Sequence, residues 1–291
     1  MDFYLYWFMF PVAIMVATCA MLSGIGGAAL FTPIFVLIFP LLGPEYVLES
    51  TLAAIAAALI TQTFGFLSGF IGYYRRRLID YALAWRFIRI AVPIAILGVW
   101  VASTLPDYAL LASYSLLVST LAVSLWQRAS GNDDGSALVG VSYGMTIVDS
   151  RGEKYSYDAP KLGAGNVALT GTGAFLTGLV SVGIGEVTVS QLTHKGIPIA
   201  VAAATSVLIV SVTVLFASST HAVQLIQGGG WNAVPWDLLV WDIPGVLIGG
   251  QIGPRLQGMV SQQTMRKAIA ILFLVLAIAM LGVALQRAGI F

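Results

Sequence analysis

The sequence predicts an all-α polytopic membrane protein built from two inverted repeats, and three observations lead to this fold class. The composition is strongly apolar, charge-free runs have the length of a bilayer crossing, and short motifs recur in both halves. Of 291 residues, 58% are hydrophobic and 9% are charged, with a mean hydropathy of +0.91. A soluble domain carries about 25% charged residues, and disordered chains combine low hydrophobicity with high charge. Both classes are therefore excluded, and the net charge of +1 gives no reason to expect a nucleic-acid partner.

Eight runs lack Asp, Glu, Lys and Arg, and most match one helical crossing of the bilayer, which needs about 20 apolar residues. These runs are 3–44, 50–74, 90–106, 108–127, 162–185, 196–236, 243–254 and 268–286. Glycine and proline divide the first run into two predicted helices, 4–22 and 28–40. In the run 196–236 we expect one helix ending near His221. No Lys or Arg precedes Arg75, so the first apolar stretch lacks the basic start of a signal peptide and is expected to remain in the fold.

The polar stretch 128–165 separates two apolar halves, so the predicted organisation is an N-terminal membrane repeat (1–127), a polar linker (128–165) and a C-terminal membrane repeat (166–291). Within the linker, residues 139–148 are rich in β-formers, and 154–157 could return as a second strand after the turn 149–152. We therefore expect a small β-hairpin in this loop. An isolated hairpin is marginally stable in water, so it should pack on the membrane domain or on a neighbouring subunit.

Three landmarks occur twice in the same order. Residues 24–27 (GIGG) match 183–186 (GIGE), Ser50-Thr51 matches Thr205-Ser206, and Pro93 with Gly98 matches Pro244 with Gly249. The offsets are 159, 155 and 151 residues. One such match means little, but three in register indicate an internal duplication.

The loops of the two copies have opposite charge. The loop after the first copy's long helix contains Arg75–Arg77, whereas 223–236 in the second copy contains no base. By the positive-inside rule, the basic loops and the central linker are cytoplasmic, which leaves only Arg287 of the fourteen Lys and Arg outside. Each repeat then needs a re-entrant or broken helical hairpin, 3–44 or 162–195, followed by three transmembrane helices. Discontinuous helices in inverted repeats are typical of secondary transporters.

The two glycine motifs are predicted to form a midplane binding site for a small anion. A helix that starts after a glycine turn offers unpaired amides and the positive end of its dipole, and we expect such starts after Gly27 and after Glu186. Hydroxyl donors would complete the site, whose predicted residues are Gly24, Ile25, Gly26, Gly27, Ser50, Thr51, Gly183, Ile184, Gly185, Glu186, Thr205 and Ser206. The alternative is that these small residues only allow close helix packing.

Glu186 replaces the fourth small residue of the motif, and an ionisable group at membrane depth is functional by default. It could carry a proton, with His194 on the cytoplasmic return of the same hairpin tuning entry. Alternatively, Glu186 caps its helix through the dipole and His194 is a solvated loop residue. The two histidines, His194 and His221, are expected on opposite sides and so form no metal site. No cofactor is expected, and Cys19, as the single cysteine, excludes an internal disulfide.

The glycine motif Ser23–Gly27 followed by Pro33, the Ser50-Thr51 pair, Pro93 with Gly98, and their second copies resemble the sulfite exporter TauE/SafE family of membrane permeases. The likeness covers residues 5–126 and 166–286 but not the linker. It implies transport of small sulfur-containing anions such as sulfite, sulfoacetate or other organosulfonates, usually outward, across the bacterial inner membrane. Carried over by position, the glycine motifs and the two hydroxyl pairs would line the path. Glu186 departs from that pattern.

The sequence thus predicts a secondary transporter, a probable exporter, of small sulfur oxyanions, with the lipid bilayer and a second copy of the chain as candidate partners. The alternative is a proton-coupled importer of a small organic anion that uses Glu186. An enzyme is not expected, because no nucleophile or metal cluster lies near one depth. The chain also contains no phosphate-binding loop for an ATP-driven pump.

Overall fold

A computed structural model describes residues 4–23, 27–130, 144–158, 163–256 and 262–290, which are mostly helical. The elements in chain order are α1 (Met9–Ser23), α2 (Ala28–Pro33), α3 (Phe39–Leu42), α4 (Thr51–Arg75), α5 (Tyr81–Ala102), α6 (Asp107–Ser130), β1 (Met145–Val148), β2 (Lys154–Tyr157), α7 (Ala164–Val180), α8 (Ile184–His194), α9 (Ile199–Gly229), α10 (Trp236–Leu256) and α11 (Gln262–Arg287). A π-helical turn, Ile34–Ile38, joins α2 to α3 directly after Pro33, as expected where proline disturbs the regular helical bonding.

Five helices among the described residues are long and apolar enough to cross a membrane. They are α4, α5, residues 107–127 of α6, α9, and residues 267–287 of α11. Their outward faces carry large apolar side chains, such as Trp100 on α5, Leu116 on α6 and Ile278 on α11, each more than half exposed. Water would disfavour such a surface, whereas lipid accommodates it, so the chain is a multi-pass membrane protein.

The helices of the two halves pack across one another rather than each half forming its own bundle. Helix α1 packs on α10, and α7 packs on α5; likewise α4 packs on α10, and α9 on α5. Two further pairs, α4 with α9 and α6 with α11, join the halves directly. Helices α1, α4, α5 and α6 of the first half therefore each have a partner in the second.

Glycines allow these crossings to be close. A Cβ on Gly98 of α5 would overlap the carbonyl oxygen of Phe175 on α7, and a Cβ on Gly249 of α10 would lie 2.5 Å from the carbonyl oxygen of Ile14 on α1. Small residues at such positions let helix backbones approach. The two glycines that the sequence matched as Gly98 and Gly249 thus have the same packing role in their two halves.

The predicted β-hairpin is present: β1 and β2 pair antiparallel with Met145 opposite Tyr157 and Val148 opposite Lys154. It docks on the loop between α4 and α5. The Ser150 amide donates to the carbonyl oxygen of Arg76 at 3.1 Å, and the buried Tyr157 hydroxyl donates to Asp80 Oδ2 at 2.8 Å. The expectation that the hairpin packs on the membrane domain is therefore confirmed.

Asp80 joins three elements at this junction. Its Oδ1 accepts the Leu83 amide at 2.9 Å and caps α5, while its own amide donates to Thr205 Oγ1 on α9 at 3.0 Å. Burial and the hydrogen bond to Asp80 raise the pKa of Tyr157. The phenol therefore keeps its proton. The stability that its hydrogen bond to Asp80 contributes is fully present below the pKa of this tyrosine in the unfolded chain, and it is lost as the pH rises through the raised pKa of the folded state.

We expect Tyr157→Phe to lower the apparent midpoint of thermal unfolding in detergent, because a hydrogen bond to a charged group contributes about 1.5–3 kcal/mol. The matched control is Tyr155→Phe, on the same strand, whose hydroxyl donates to the exposed Glu153. That control should change the midpoint little, since exposed polar contacts contribute little. Equal effects of the two substitutions would contradict the docking role of Tyr157.

Several helix boundaries differ from the sequence expectation. Helix α1 begins at Met9 rather than near residue 4, and two other differences concern the candidate site. Helix α9 continues past His221 to Gly229, because nothing in 222–228 stops a helix until Gly230 adopts a φ of 76°. Helix α8 begins at Ile184, not after Glu186, because Gly183 with a φ of 139° makes the turn. Glu186 is therefore inside the first turn of α8.

Candidate functional site

The N-terminal helix pair (α1 and the segment α2–α3, residues 9–42) folds back on itself, so that its two ends lie in contact. The ring of Tyr6, just before α1, lies 5.3 Å from the ring of Phe39 in α3, and the Tyr6 hydroxyl donates to the carbonyl oxygen of Tyr46 at 3.1 Å. Helix α2 starts at Ala28 after Gly27, as the sequence predicted. The motif residues Gly24, Ile25 and Gly26 lie outside the described residues.

The start of α2 is held by two other helices of the first half. The Ala28 amide donates to Gln62 Oε1 in the middle of α4, and the Tyr114 hydroxyl of α6 donates to the carbonyl oxygen of Ala29. Ala28 and Tyr114 are fully buried and Gln62 nearly so. Helix α2 thus begins deep inside the protein.

The C-terminal helix pair (residues 164–194) folds back in the same manner. Gln191 Nε2 near the end of α8 donates to Thr170 Oγ1 near the start of α7 at 3.1 Å. Between the helices, Ser181 and Gly183 have positive φ. A Cβ on Gly183 would also lie 2.7 Å from the carbonyl oxygen of Gly173, so this turn requires glycine both for its backbone conformation and for its packing.

The turn between α7 and α8 of the C-terminal helix pair contacts α2 of the N-terminal helix pair. Thr32 Oγ1 and Ser181 Oγ share a hydrogen bond of 2.9 Å, although 149 residues separate them. Both residues are buried, with exposed fractions of 1% and 0%. Helix α2 and the turn before α8 are therefore in contact in the interior.

The first amide of each returning helix already has a partner. Ala28 donates to Gln62, and the Ile184 amide donates to Thr177 Oγ1 at 2.7 Å. For these two residues the prediction of unpaired amides is wrong, because each neighbouring helix supplies a side-chain oxygen. The positive ends of the two helix dipoles remain.

Ser50 and Thr51 lie at the start of α4 in a cluster of their own. Ser50 Oγ accepts the Ala53 amide at 3.1 Å and caps the helix. Arg287 at the end of α11 donates to Thr51 Oγ1 at 2.8 Å and forms a 2.9 Å ion pair with Asp107. Their described hydrogen bonds connect them to Asp107 and Arg287 and not to the second hydroxyl pair.

Thr205 and Ser206 have different partners from each other. Thr205 accepts the Asp80 amide at the hairpin junction. Ser206 Oγ shares a 2.6 Å hydrogen bond with Thr188 Oγ1 of α8 and donates to the carbonyl oxygen of Gly185 at 3.4 Å. Ser206 is thus joined to the second glycine motif, whereas Thr205 faces the loop between α4 and α5.

Glu186 and His194, the two candidate proton carriers, lie at opposite ends of α8. Glu186 is half-buried in the first turn of α8. His194 is exposed at the last turn, with Nδ1 at 2.8 Å from the carbonyl oxygen of Ser190. Only Glu186 is near the meeting point of the two helix pairs.

Sequence reasoning missed two buried ionisable side chains. Asp242 of α10 is 0% exposed, and its Oδ2 accepts from the Thr61 hydroxyl at 3.2 Å. His221, expected near a helix end, is also 0% exposed, with Nε2 at 2.8 Å from the carbonyl oxygen of Gly178. Asp242 bounds the charge-free run 243–254, so the sequence places it at the edge of a span, whereas α10 begins six residues earlier at Trp236. Among the described residues no group of His, Cys, Asp and Glu could hold a metal ion.

Comparisons with known proteins agree with a multi-pass membrane protein. The family model "Sulfite exporter TauE/SafE" matches residues 9–280. The chain is 23% identical over 239 residues to the "Probable membrane transporter protein YunE" of Bacillus subtilis (strain 168), which covers 82% of each chain. No solved structure matches the chain.

Proposed function

Because the chain belongs to the sulfite exporter TauE/SafE family, a family of membrane transporters, we propose that it exports small sulfur-containing oxyanions such as sulfite, sulfoacetate or other organosulfonates. The anion binds near the midplane, between the turns of the two helix pairs, and no cofactor takes part. The hydrogen bond between Thr32 of α2 and Ser181 in the turn before α8 is the observation that carries this proposal, because it joins the two helix pairs in the protein interior.

The two halves are inverted repeats in this proposal. The Thr63 hydroxyl of α4 bonds that of Ser218 on α9 at 3.0 Å, and these residues are 155 apart, the offset that relates Ser50-Thr51 to Thr205-Ser206. Such a contact between equivalent residues is expected where a two-fold pseudo-axis passes between two helices. Asp80, just after α4, bonds Thr205 near the start of α9, which supports an antiparallel arrangement of these helices.

The binding chemistry consists of neutral donors and helix dipoles. Hydroxyl groups of Thr32, Ser181 and Ser206 lie at the two turns, where a small oxyanion can be bound without a fixed positive charge. Movement of one inverted repeat against the other then opens the site first to one side of the membrane and then to the other. An interior-negative potential favours anion export by about 2.3 kcal/mol per charge per 100 mV, so export needs no coupling ion.

We expect proteoliposomes that contain the full chain to release labelled sulfite and sulfoacetate faster than protein-free liposomes. An imposed interior-negative potential should speed the efflux. Absence of flux of either anion, with the protein correctly folded by size-exclusion chromatography, would refute the proposed function.

We expect Thr32→Val to raise the anion concentration for half-maximal flux about tenfold, because loss of one buried hydrogen-bond donor costs about 1–3 kcal/mol and 1.4 kcal/mol is tenfold. The matched control is Thr213→Val, a buried threonine of α9 whose hydroxyl donates to Ile209 of its own helix. The measurement is concentration-dependent sulfoacetate efflux. Equal affinities of the two variants would place the site elsewhere.

The same proposal places the protein in the bacterial inner membrane, as a homodimer, with the central linker in the cytoplasm. The charge distribution supports the orientation, because it leaves only Arg287 of the fourteen Lys and Arg outside.

A proton-coupled importer of a small organic anion is the second candidate function. The half-buried Glu186, in the first turn of α8 and near Tyr114, favours it. In this case Glu186→Gln should abolish the pH dependence of uptake, and unchanged pH behaviour would remove the candidate.

A further inference from the structure

We propose that Asp242 is a proton-binding site of the transporter, which binds and releases one proton in each transport cycle. This inference rests on the proposed anion transport and adds a coupling ion to it. The carboxyl is 0% exposed, and Oδ1 has no hydrogen-bond partner among the described residues, while Oδ2 accepts from Thr61. A carboxylate in such surroundings is poorly stabilised, so a proton on Oδ1 removes the buried charge.

Among the residues that the structure describes, no other charge lies beside this carboxyl. Helix α1, which packs on α10, carries only the exposed Cys19 as a titratable group. Helix α4 carries Tyr73, Tyr74 and Arg75 in its last turn, more than three turns from Thr61. On α10 itself, Asp237 lies five residues before Asp242, and Arg255 lies in the last turn. Asp242 therefore exchanges its proton without a fixed counter-charge, and the charge of the site changes with each proton.

The site has a short connection to the proposed anion site. Thr61, the partner of Asp242, is followed by Gln62, whose side chain accepts the first amide of α2. Two consecutive residues of α4 thus link the carboxyl to the start of the returning helix. When Asp242 loses its proton, both carboxylate oxygens become acceptors, so its hydrogen bond with the Thr61 hydroxyl becomes stronger. This change occurs directly beside Gln62, which accepts the first amide of α2.

The test is proton-driven accumulation of labelled sulfoacetate in proteoliposomes at a membrane potential clamped to zero. Sulfoacetate is a better probe than sulfite, because sulfite itself gains a proton near neutral pH. If one proton moves per anion, a gradient of one pH unit sustains about a tenfold anion ratio. We expect the wild type to reach that ratio, Asp242→Asn to stay at unity while still exchanging anion, and the matched control Asp237→Asn to behave as wild type. A wild type without response, or an Asp242→Asn variant that still accumulates anion, overturns the proposal.

Two further readouts separate this proposal from the transport function. Infrared spectra of the full chain in lipid should contain a carbonyl band of a protonated carboxylic acid that is absent in Asp242→Asn; a band that persists overturns the proton site. If the band is present but no variant moves sulfoacetate or sulfite, the proposed function fails and the proton site stands. If Asp242→Asn does not fold, Thr61→Val provides the test. This substitution removes the hydrogen-bond donor to the carboxylate of Asp242, so the pH midpoint of anion flux should rise by a measurable shift. An unchanged midpoint contradicts the proposal.

Discussion

Gly178→Leu is expected to prevent stable assembly of the protein. A Cβ at this position of α7 would overlap the carbonyl oxygen of Ala95 and lie 3.0 Å from the amide nitrogen of Val99, so the leucine must push α5 and α7 apart. Backbone atoms cannot move aside as a flexible side chain does, and overpacking already costs about 1–3 kcal/mol where side chains can adjust. The same crossing contains the carbonyl oxygen that contacts His221.

The measurement is the yield of monodisperse protein in detergent and its unfolding temperature. Gly282→Leu in α11 is the matched control, because nothing lies within 4 Å of a Cβ at that position. It should fold as well as wild type, since leucine is a better helix former than glycine by about 0.5–1 kcal/mol. A normally folded Gly178→Leu protein would show that α5 and α7 are not in close contact.

Gly183→Ala should produce the second largest effect, a loss of anion flux of at least about tenfold if the strain and the clash together cost about 1.4 kcal/mol or more. The residue has a φ of 139°, which side-chain-bearing residues rarely adopt, and a Cβ would lie 2.7 Å from the carbonyl oxygen of Gly173. The substitution therefore shifts the turn that carries Ser181 and its contact with Thr32.

Gly196→Ala separates backbone strain from this close approach. Gly196 also has a positive φ, of 77°, but nothing lies within 4 Å of its Cβ position. We expect this control to lower stability slightly and to keep most of the flux of labelled sulfoacetate. If both variants lost flux equally, backbone strain alone would explain the effect, and the position of the turn would not matter.

Features that depend on local chemistry and on the repeat could be predicted from sequence. Glycine turns correctly located the start of α2 and, within three residues, the start of α8. The recurrence of Pro93–Gly98 as Pro244–Gly249 reflects a shared packing role, because both glycines lie where a helix of the other half crosses. The β-formers of 139–148 and the return at 154–157 were sufficient to predict the hairpin, since its strands need only local pairing; residues 139–143 lie outside the described residues.

Features that depend on which helices meet could not be predicted. Thr51 bonds Arg287, which is 236 positions away and also bonds Asp107. Sequence spacing cannot reveal so distant a pairing, so Thr51 was predicted as a residue of the anion site. Thr205 matches Ser50 in the repeat, but its hydroxyl accepts the amide of Asp80. Asp242 was missed because a charge marks the end of an apolar run in a linear reading, whereas packing on α1 and α4 encloses it.

The inverted orientation of the two halves is the central claim, and cysteine labelling tests it most directly. In a Cys19→Ser background, Tyr74→Cys at the end of α4 and Asn232→Cys just after α9 introduce single exposed thiols while keeping Arg75–Arg77. A membrane-impermeant maleimide applied to intact cells should label position 232, and it should label position 74 only after the membrane is permeabilised. Labelling of both positions from the same side would contradict the antiparallel repeats and the binding site built on them.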